Sequence, residues 1–242
     1  MRKWIRKILL IICIVVFCFS AYQLASTYLR YKQVNDDNNA LRDSVVVEDE
    51  AFSVDFNKLK EMNEDTVAWL NVENYDASYV VMQSSDNDYY LRRNFEEEYS
   101  FAGTLFVDYL NNSDFTDFNT IIYGHNMRDN SMLGFLREYK DQNFYNEHRY
   151  VDIYVEGKQL RYEIFSVKEV DVATTNTYYI QGDDAMKQTM IDEWKTTSLY
   201  DTGVDVSVND HILTLSTCVD NLDDQYRWVI NAKLVEEIPT ES

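Results

Sequence analysis

Twelve consecutive apolar residues at positions 8–19 restrict the amino-terminal segment of the chain to a buried or membrane-embedded helix. Four positive charges precede this run, and the mildly polar residues 20–29 can extend a helix to about 20 residues, the length that spans a bilayer. Basic residues stay on the cytoplasmic side, so the rest of the chain is expected outside. A cleaved signal peptide shares this layout, but the small-x-small sites are poor. We therefore predict a single-pass transmembrane signal-anchor at residues 1–29.

The amino terminus of the chain is basic, whereas the rest of the chain is strongly acidic. The 242 residues carry a net charge of −20, and only basic charges precede Asp36, so the remainder has 16 basic and 42 acidic residues. A body this acidic cannot bind phosphates through counterion release, so we expect no nucleic-acid partner. The polar composition of residues 30–51 predicts a stalk, and residues 52–242 are predicted to form a single catalytic domain.

The body is rich in short β-type runs separated by Asn-, Asp- and Gly-containing turns. The patterns predict strands at 78–82, 104–109, 120–123, 150–155, 161–170, 211–216 and 226–235. Helices are predicted at 56–70 with a break near 63–65, at 132–145 and at 183–197. Seven or more short strands with few helices predict a mainly β fold, a closed or nearly closed barrel with decorating helices.

One cysteine stands apart from the other two. Cys13 and Cys18 fall in the apolar run, which leaves Cys218 without a disulfide partner in the body. Cys218 ends the β-type run TLSTC at 214–218, just before a predicted polar loop at 219–225. A thiol at the end of a strand can reach solvent and act as a nucleophile once ionised. The alternative is a small buried hydrophobic side chain.

Two further side chains have the chemistry that a nucleophilic cysteine needs. The strand after Cys218 begins near Arg227, and hairpin pairing would bring this permanently charged guanidinium back beside the thiol. An apolar strand at 120–123 ends in Gly124 and His125, and an imidazole can exchange protons with a thiol and a leaving group. Taken singly, the three residues are better interpreted as a surface histidine, a core thiol and a solvated arginine. Together they predict a catalytic trio at one rim of a barrel.

The sequence around this trio resembles the class B sortases. TLSTC at 214–218 is followed nine residues later by Arg227, and YGHNM precedes it at 123–127. Further segments occur in the order of the family: NDYYL at 87–91, AGTLFVD at 102–108, NTII at 119–122 and SLYDTG at 198–203. The likeness extends from about residue 52 to residue 235.

The resemblance implies a closed eight-stranded sortase-type β-barrel with amino-terminal helices and a helix at 183–197 before the cysteine strand. It also implies a cysteine transpeptidase in which Cys218 cleaves the Thr–Gly or Thr–Asn bond of a carboxy-terminal sorting signal in a secreted protein. An amine of the peptidoglycan precursor would then resolve the thioacyl enzyme. His125 would serve as acid and base, and Arg227 with the backbone N–H of Val219 would hold the oxyanion. We expect no metal and no cofactor.

The resemblance also assigns contacts to the substrate. It implies a set of groove residues on several strands and loops: Asn87, Leu91, Ser216, Val219, and Tyr178 or Tyr179 in the loop at 173–179. Ordinary rim packing is an equally good interpretation of the two tyrosines. Val80 and Asn231 depart from the residues that many relatives have, and both bear on the shape of the loops rather than on the class of reaction.

The sequence also allows other functions for this chain. A membrane-tethered thiol peptidase would use water in place of the amine, and a non-catalytic extracellular binding module would not use the thiol. A pilus-polymerising sortase would commonly carry a second membrane segment, and residues 234–242 are too short and too acidic for one. The expected location is the cell membrane of a Gram-positive-type envelope, with the catalytic domain extracellular.

Overall fold

The structure, a computed structural model, describes residues 2–48, 52–220 and 223–240, with the backbone alone for residues 2, 48, 218–220 and 223–224. It divides into two compact units, Met1–Leu41 and Arg42–Ser242. The helices are α1 (Arg2–Val45), α2 (Phe56–Met62), α3 (Gln142–Glu147), α4 (Asp184–Thr196) and two 3₁₀ helices, Tyr90–Arg92 and Gly134–Lys140. The strands are β1 (Val46–Glu48), β2 (Phe52–Val54), β3 (Thr66–Val72), β4 (Ser78–Met82), β5 (Leu105–Val107), β6 (Asn119–Tyr123), β7 (Tyr150–Val155), β8 (Lys158–Asp171), β9 (Ile212–Asp220) and β10 (Asp223–Pro239).

The amino-terminal helix α1 is long and apolar enough to cross a membrane. It runs for 44 residues, and its most apolar stretch of 18 residues has a mean hydropathy of 2.6 with none of that stretch buried. The predicted boundary between anchor and stalk, at residues 29 and 30, falls within this continuous helix. Apolar surface without protein cover needs another apolar environment, which fits a membrane anchor or a signal segment.

Eight strands close into a barrel, as the sequence and the family resemblance predict. Their order around the barrel is β10-β8-β7-β3-β4-β5-β6-β9. The neighbours β4 and β5 are parallel, as are β6 and β9, and the other pairs are antiparallel. Closure gives each of these eight strands a neighbour on both sides, which protects their edges from pairing with a second chain.

The helix predicted across residues 56–70 is wrong in its second half. Helix α2 ends at Met62, and Asn63 follows in an extended conformation. The next apolar residues form β3, in which Trp69 and Leu70 are both buried. A strand buried on both faces lacks the alternation of apolar and polar residues, so its apolar spacing imitates that of a helix.

Two further predictions need correction, and one is confirmed. The helix predicted at 132–145 is a 3₁₀ helix followed by α3, because extended Asp141 ends the first and caps the second by accepting from the N–H of Asn143. The loop predicted at 219–225 is shorter, since β9 continues to Asp220 and β10 begins at Asp223.

The helix predicted at 183–197 is confirmed as α4, capped by the Asp183 carboxylate.

Helix α4 covers part of the barrel wall and buries one face against it. Its Met190, Ile191 and Trp194 join an apolar cluster with residues of the barrel strands and nearby loops, Phe118, Phe165, Val204 and Ile212. The Ser166 hydroxyl of β8 donates to the carbonyl of Trp194 at 2.8 Å. This packing fixes the end of α4 beside β8 and beside the loop that connects the two elements.

A buried lysine lies under this helix. Lys168 of β8 is 1% exposed, and within the described part of the chain its ammonium nitrogen has no hydrogen-bond partner. The nitrogen lies 5.4 Å from the ring centroid of Trp194. Burial lowers the pKa of Lys168 from 10.5 to about 7, and the nearby Glu193 carboxylate partly opposes that shift. The amine is therefore largely neutral in mildly alkaline solution.

Stability should depend on pH through Lys168. Between pH 7 and 10.5 the unfolded chain holds the proton that the folded chain has released, so folding becomes more favourable as pH rises. The slope approaches about 1.4 kcal/mol per pH unit. Lys168→Met should therefore be more stable than the parent protein at pH 7, and the difference should shrink by pH 9. Chemical denaturation of the full-length protein in detergent measures both values.

The matched control is Lys60→Met. Lys60 is half-exposed and forms a surface ion pair with Glu156 at 2.6 Å, so its replacement should give a small change that is similar at pH 7 and pH 9. A stability difference for Lys168→Met that is equal at both pH values contradicts a neutral buried amine.

Candidate active site

The hairpin of β9 and β10 brings Cys218 and Arg227 together along the backbone. The two residues are directly opposite each other in the antiparallel register, which confirms the hairpin pairing predicted from sequence. Further along the same ladder, Ser216 is opposite Val229 and Thr214 is opposite Asn231. The side chains of Cys218 and Val219 lie outside the described part of the structure.

Strand β6 brings His125 to the same end of β9. The two strands are parallel, with Tyr123 opposite Ser216, and the N–H of Gly124 donates to the carbonyl of Ser216 at 3.3 Å. His125 lies two residues beyond Tyr123, and Cys218 lies two residues beyond Ser216, the partner of Tyr123 in the ladder. Parallel strands deliver their carboxyl ends to one edge of a sheet, so the backbones of both residues reach one rim of the barrel.

Gly124 is required by the packing at this rim. A Cβ atom at position 124 would lie 2.3 Å from Cδ2 of Leu105 and 2.8 Å from Cγ of Leu133. Both leucines are fully buried and have no room to move aside. The chain reaches His125 only because residue 124 has no side chain.

The imidazole of His125 is oriented by a backbone carbonyl. Nε2 lies 2.8 Å from the carbonyl oxygen of Leu91. Because a carbonyl only accepts, Nε2 carries the hydrogen, and Nδ1 holds the lone pair of a neutral ring. Burial lowers the pKa of His125, as does the nearby Arg92, while the Leu91 carbonyl opposes them. The imidazole of His125 is therefore mainly neutral at pH 7.

The Leu91 carbonyl is itself held by tight backbone packing. Gly103 has φ +60°, and a Cβ atom there would lie 2.7 Å from the carbonyl oxygen of Leu91 and 2.6 Å from that of Tyr90. Only glycine adopts this left-handed conformation at such close range without strain. The predicted groove residue Leu91 thus contributes its main chain to the orientation of His125.

A buried carboxylate organises the side of the site opposite the hairpin. Asp108 is 7% exposed, and its Oδ2 accepts from the amide of Asn87 and from the hydroxyl of Tyr123, both at 3.0 Å. The other end of the Asn87 amide accepts the N–H of Tyr109 at 3.0 Å. Asn87, predicted to bind substrate, therefore has both ends of its amide engaged within the protein.

Tyr123 is influenced by both this carboxylate and the arginine. Burial raises the pKa of Tyr123, Asp108 raises it further, and Arg227 opposes both, so the hydroxyl stays protonated and donates to Asp108. The guanidinium of Arg227 also donates to the carbonyl of Tyr226 at 3.0 Å. Arg227 is thus close enough to Tyr123 to act on it electrostatically.

Of the two tyrosines predicted at the groove, Tyr178 places its side chain against a strand of the site, β9. Its hydroxyl lies 2.9 Å from Oγ of Ser216, and its ring centroid lies 6.0 Å from that of Tyr123. The side chain of Tyr179 is 55% exposed. Sequence reasoning gave no role to Asp108, Tyr123 or Asn119, because the bond from Tyr123 to Asp108 joins residues 15 positions apart and the bond from Thr214 to Asn119 joins residues 95 positions apart.

Comparisons with known proteins find the same family, the sortases, over most of the chain. A model of the Sortase family, described as a sortase domain, matches residues 70–235. The sortase B of Listeria monocytogenes is 35% identical over 249 residues, which cover 97% of this chain and 98% of the relative.

Two solved structures are similar over most of their length. A Staphylococcus aureus sortase B-substrate complex has a TM-score of 0.76 and 28% identity, and the match covers 86% of this chain and 99% of that one. A crystal structure of sortase B complexed with triglycine has a TM-score of 0.70 and 31% identity, covering 77% of this chain and 86% of that one.

Replacing Gly124 tests the packing that leads to His125. Gly124→Ala should destabilise the protein by about 1–3 kcal/mol, because the methyl group overlaps two buried leucines. The control is Gly182→Ala, whose new methyl group meets the flexible side chain of Met186 and should change stability by less than about 0.5 kcal/mol. Denaturant titration of both variants measures the difference. Equal stability of the two variants would show that the rim adjusts to a side chain at 124.

Proposed function

Because the chain belongs to the sortase family and is a sortase B-like cysteine transpeptidase, we propose that it attaches secreted proteins to the cell wall. Its substrates carry a carboxy-terminal sorting signal, which is cut at a Thr–Gly or Thr–Asn bond. The new carboxyl end is transferred to an amine of the peptidoglycan precursor. The observation that carries this proposal is the backbone convergence of Cys218, Arg227 and the end of β6 at one rim.

In the proposed reaction Cys218 is the nucleophile. Its thiolate attacks the carbonyl carbon of the threonine and forms a tetrahedral intermediate, whose collapse breaks the peptide bond and leaves a thioester. Arg227 and the backbone N–H of Val219 stabilise the oxyanion, as a fixed positive charge and a fixed donor do in acyl transfer. The position of Arg227 opposite Cys218 in the ladder supports this role.

His125 is proposed to move the protons through Nδ1, because Nε2 is engaged with the Leu91 carbonyl. Nδ1 takes the proton of the Cys218 thiol and gives it to the departing amine in the first half of the reaction. In the second half it removes a proton from the incoming amine and returns it to the Cys218 sulfur as the thioester breaks. The bond to Leu91 fixes the ring and its tautomer, so that the same nitrogen is presented in both steps.

The substrate is proposed to lie along the strand ends, in contact with residues around the trio. Tyr178 and Ser216 form one side, and the segment from Asn87 to Leu91 forms the other, with Tyr179 nearby at the surface. The related Staphylococcus aureus enzyme is known in a complex with substrate, which supports an accessible groove on the same fold. The Asp108 bonds to Asn87 and Tyr123 would keep this wall rigid.

The acceptor is proposed to be a primary amine at the end of a short peptide branch. The related sortase B bound to triglycine supports an acceptor of this chemistry. Helix α1 is proposed to anchor the enzyme as a single membrane-spanning segment, with the catalytic domain outside. The four basic residues before the apolar run support this orientation.

Substitution of the trio tests the assignment of roles. The full-length protein in detergent is incubated with a panel of sorting peptides, and the acyl enzyme is detected by mass spectrometry. Cys218→Ala should abolish it, and His125→Ala should lower kcat/KM about 10²–10⁴-fold. Arg227→Lys should lower it at least about 10²-fold, because it removes the planar fork of donors. Arg149→Lys, in a surface ion pair with Glu163, is the control and should retain activity.

The identity of the resolving nucleophile separates transpeptidation from hydrolysis. Adding triglycine to the acyl enzyme should yield mainly the peptide–triglycine product, because an amine reacts with a thioester faster than water does once it is positioned. Product analysis with and without triglycine measures the partition. A product mixture that stays entirely hydrolytic at saturating amine would identify a thiol peptidase, and activity that survives Cys218→Ala would exclude the proposed mechanism.

A further inference from the structure

The segment between β8 and α4, residues 172–183, contains no helix or strand and carries Tyr178. We call it the 172–183 loop. Side chains on both sides of Tyr178 attach the loop to the surrounding structure. Before it, Asn176 donates to Glu193 at 2.5 Å and accepts from the indole of Trp194 at 3.0 Å. After it, Gln181 donates to Asp117 at 2.6 Å. An irregular segment needs such side-chain bonds because its main chain lacks the ladder of a regular element.

The buried side chain of Asn119 holds the main chain in the middle of the loop. Asn119, the first residue of β6, is 0% exposed. Its amide nitrogen donates to the carbonyl of Thr177 at 2.9 Å and to that of Tyr179 at 3.0 Å. Its backbone N–H also donates to the carbonyl of Ile180 at 3.2 Å. Two of these acceptors immediately flank Tyr178.

The orientation of the Asn119 amide is fixed from the opposite side. Its Oδ1 accepts from the hydroxyl of Thr214 at 2.6 Å, and that hydroxyl accepts from the amide of Asn231 at 2.8 Å. Because the Thr214 proton points at Oδ1, the nitrogen of Asn119 must face the loop. Three neighbouring strands, β6, β9 and β10, thus set the direction of the two bonds that flank Tyr178.

We infer that Asn119 is a positioning residue that sets the affinity for the sorting signal, by fixing the 172–183 loop so that Tyr178 stands against Ser216. This inference rests on the proposed function. Asn119 acts through Tyr178 and is not a catalytic residue. With the amide removed, two buried carbonyls lose their donor, and the loop gains alternative conformations in which the bond between Tyr178 and Ser216 is broken.

The test replaces the amide without changing its size. Asn119→Asp keeps an acceptor for Thr214 and loses both donors to the loop, and Asn119→Ala serves as a second variant in case a buried carboxylate prevents folding. Both should raise KM for the sorting peptide about tenfold or more, with kcat within about threefold. Hydrogen exchange of the amides at 177–180 should accelerate, and the rate of Cys218 alkylation by iodoacetamide should stay the same.

Ser78→Ala is the matched control. It removes a buried hydroxyl that accepts from the indole of Trp69 at 2.8 Å, between β3 and β4, and neither of these strands is paired with β6, β9 or β10. It should lower stability as the Asn119 variants do while keeping KM within about twofold, so a general loss of stability cannot account for the change in affinity. A double-mutant cycle of Asn119→Ala with Tyr178→Ala should be non-additive in KM, because both changes remove the same contact.

The experiments distinguish a failure of the proposed function from a failure of the inference about Asn119. If the parent protein cleaves no sorting peptide, the proposed function fails, and the exchange rates at 177–180 alone judge whether Asn119 holds the loop. If the parent protein is active, an unchanged KM in both Asn119 variants overturns the inference and leaves the proposed function intact. Additive effects of Asn119→Ala and Tyr178→Ala would also overturn it.

Discussion

The parallel pairing of β6 with β9 is the constraint on which the site depends. Parallel neighbours end at the same edge of a sheet, so the register that sets Tyr123 against Ser216 also sends His125 and the backbone of Cys218 to one rim. The antiparallel strand β10 starts where β9 ends and therefore begins at this rim, which sets Arg227 opposite Cys218. Closure of the barrel holds all three strands between paired neighbours.

Buried polar side chains fix the parts of the site that the strands alone cannot fix. Asp108 accepts from Asn87 and Tyr123, and Asn119 links a loop to Thr214. A buried polar group is stabilising only when its partners are in place, so each such group favours one arrangement of its surroundings over the alternatives. Asn231 is part of the same network, because its amide donates to the hydroxyl of Thr214 across the hairpin.

Local patterns predicted strands β6, β9 and β10 and the hairpin of the last two, because a cysteine after an apolar run and an arginine nine residues later are close in sequence. The turn of that hairpin was predicted too long, since β9 continues to Asp220 and β10 begins at Asp223. The partners of Asp108 and Asn119 were not predictable, because the bond from Thr214 to Asn119 spans 95 residues and only the closed barrel joins them. The apolar run with Trp69 and Leu70 was assigned to a helix because burial on both faces of β3 removes the alternation that identifies a strand. Family resemblance supplied the number of strands, which spacing alone left open.

In the proposed mechanism one strand serves both the chemistry and the recognition of substrate. β6 begins at Asn119, which holds the loop of Tyr178, and ends at Tyr123, just before His125. It is paired on both sides, with β5 and β9, so neither of its ends can shift without breaking a ladder. The distance between the loop and the imidazole is therefore set by the length of a five-residue strand. An enzyme that must hold a peptide and later admit an amine gains from a frame that stays the same in both steps.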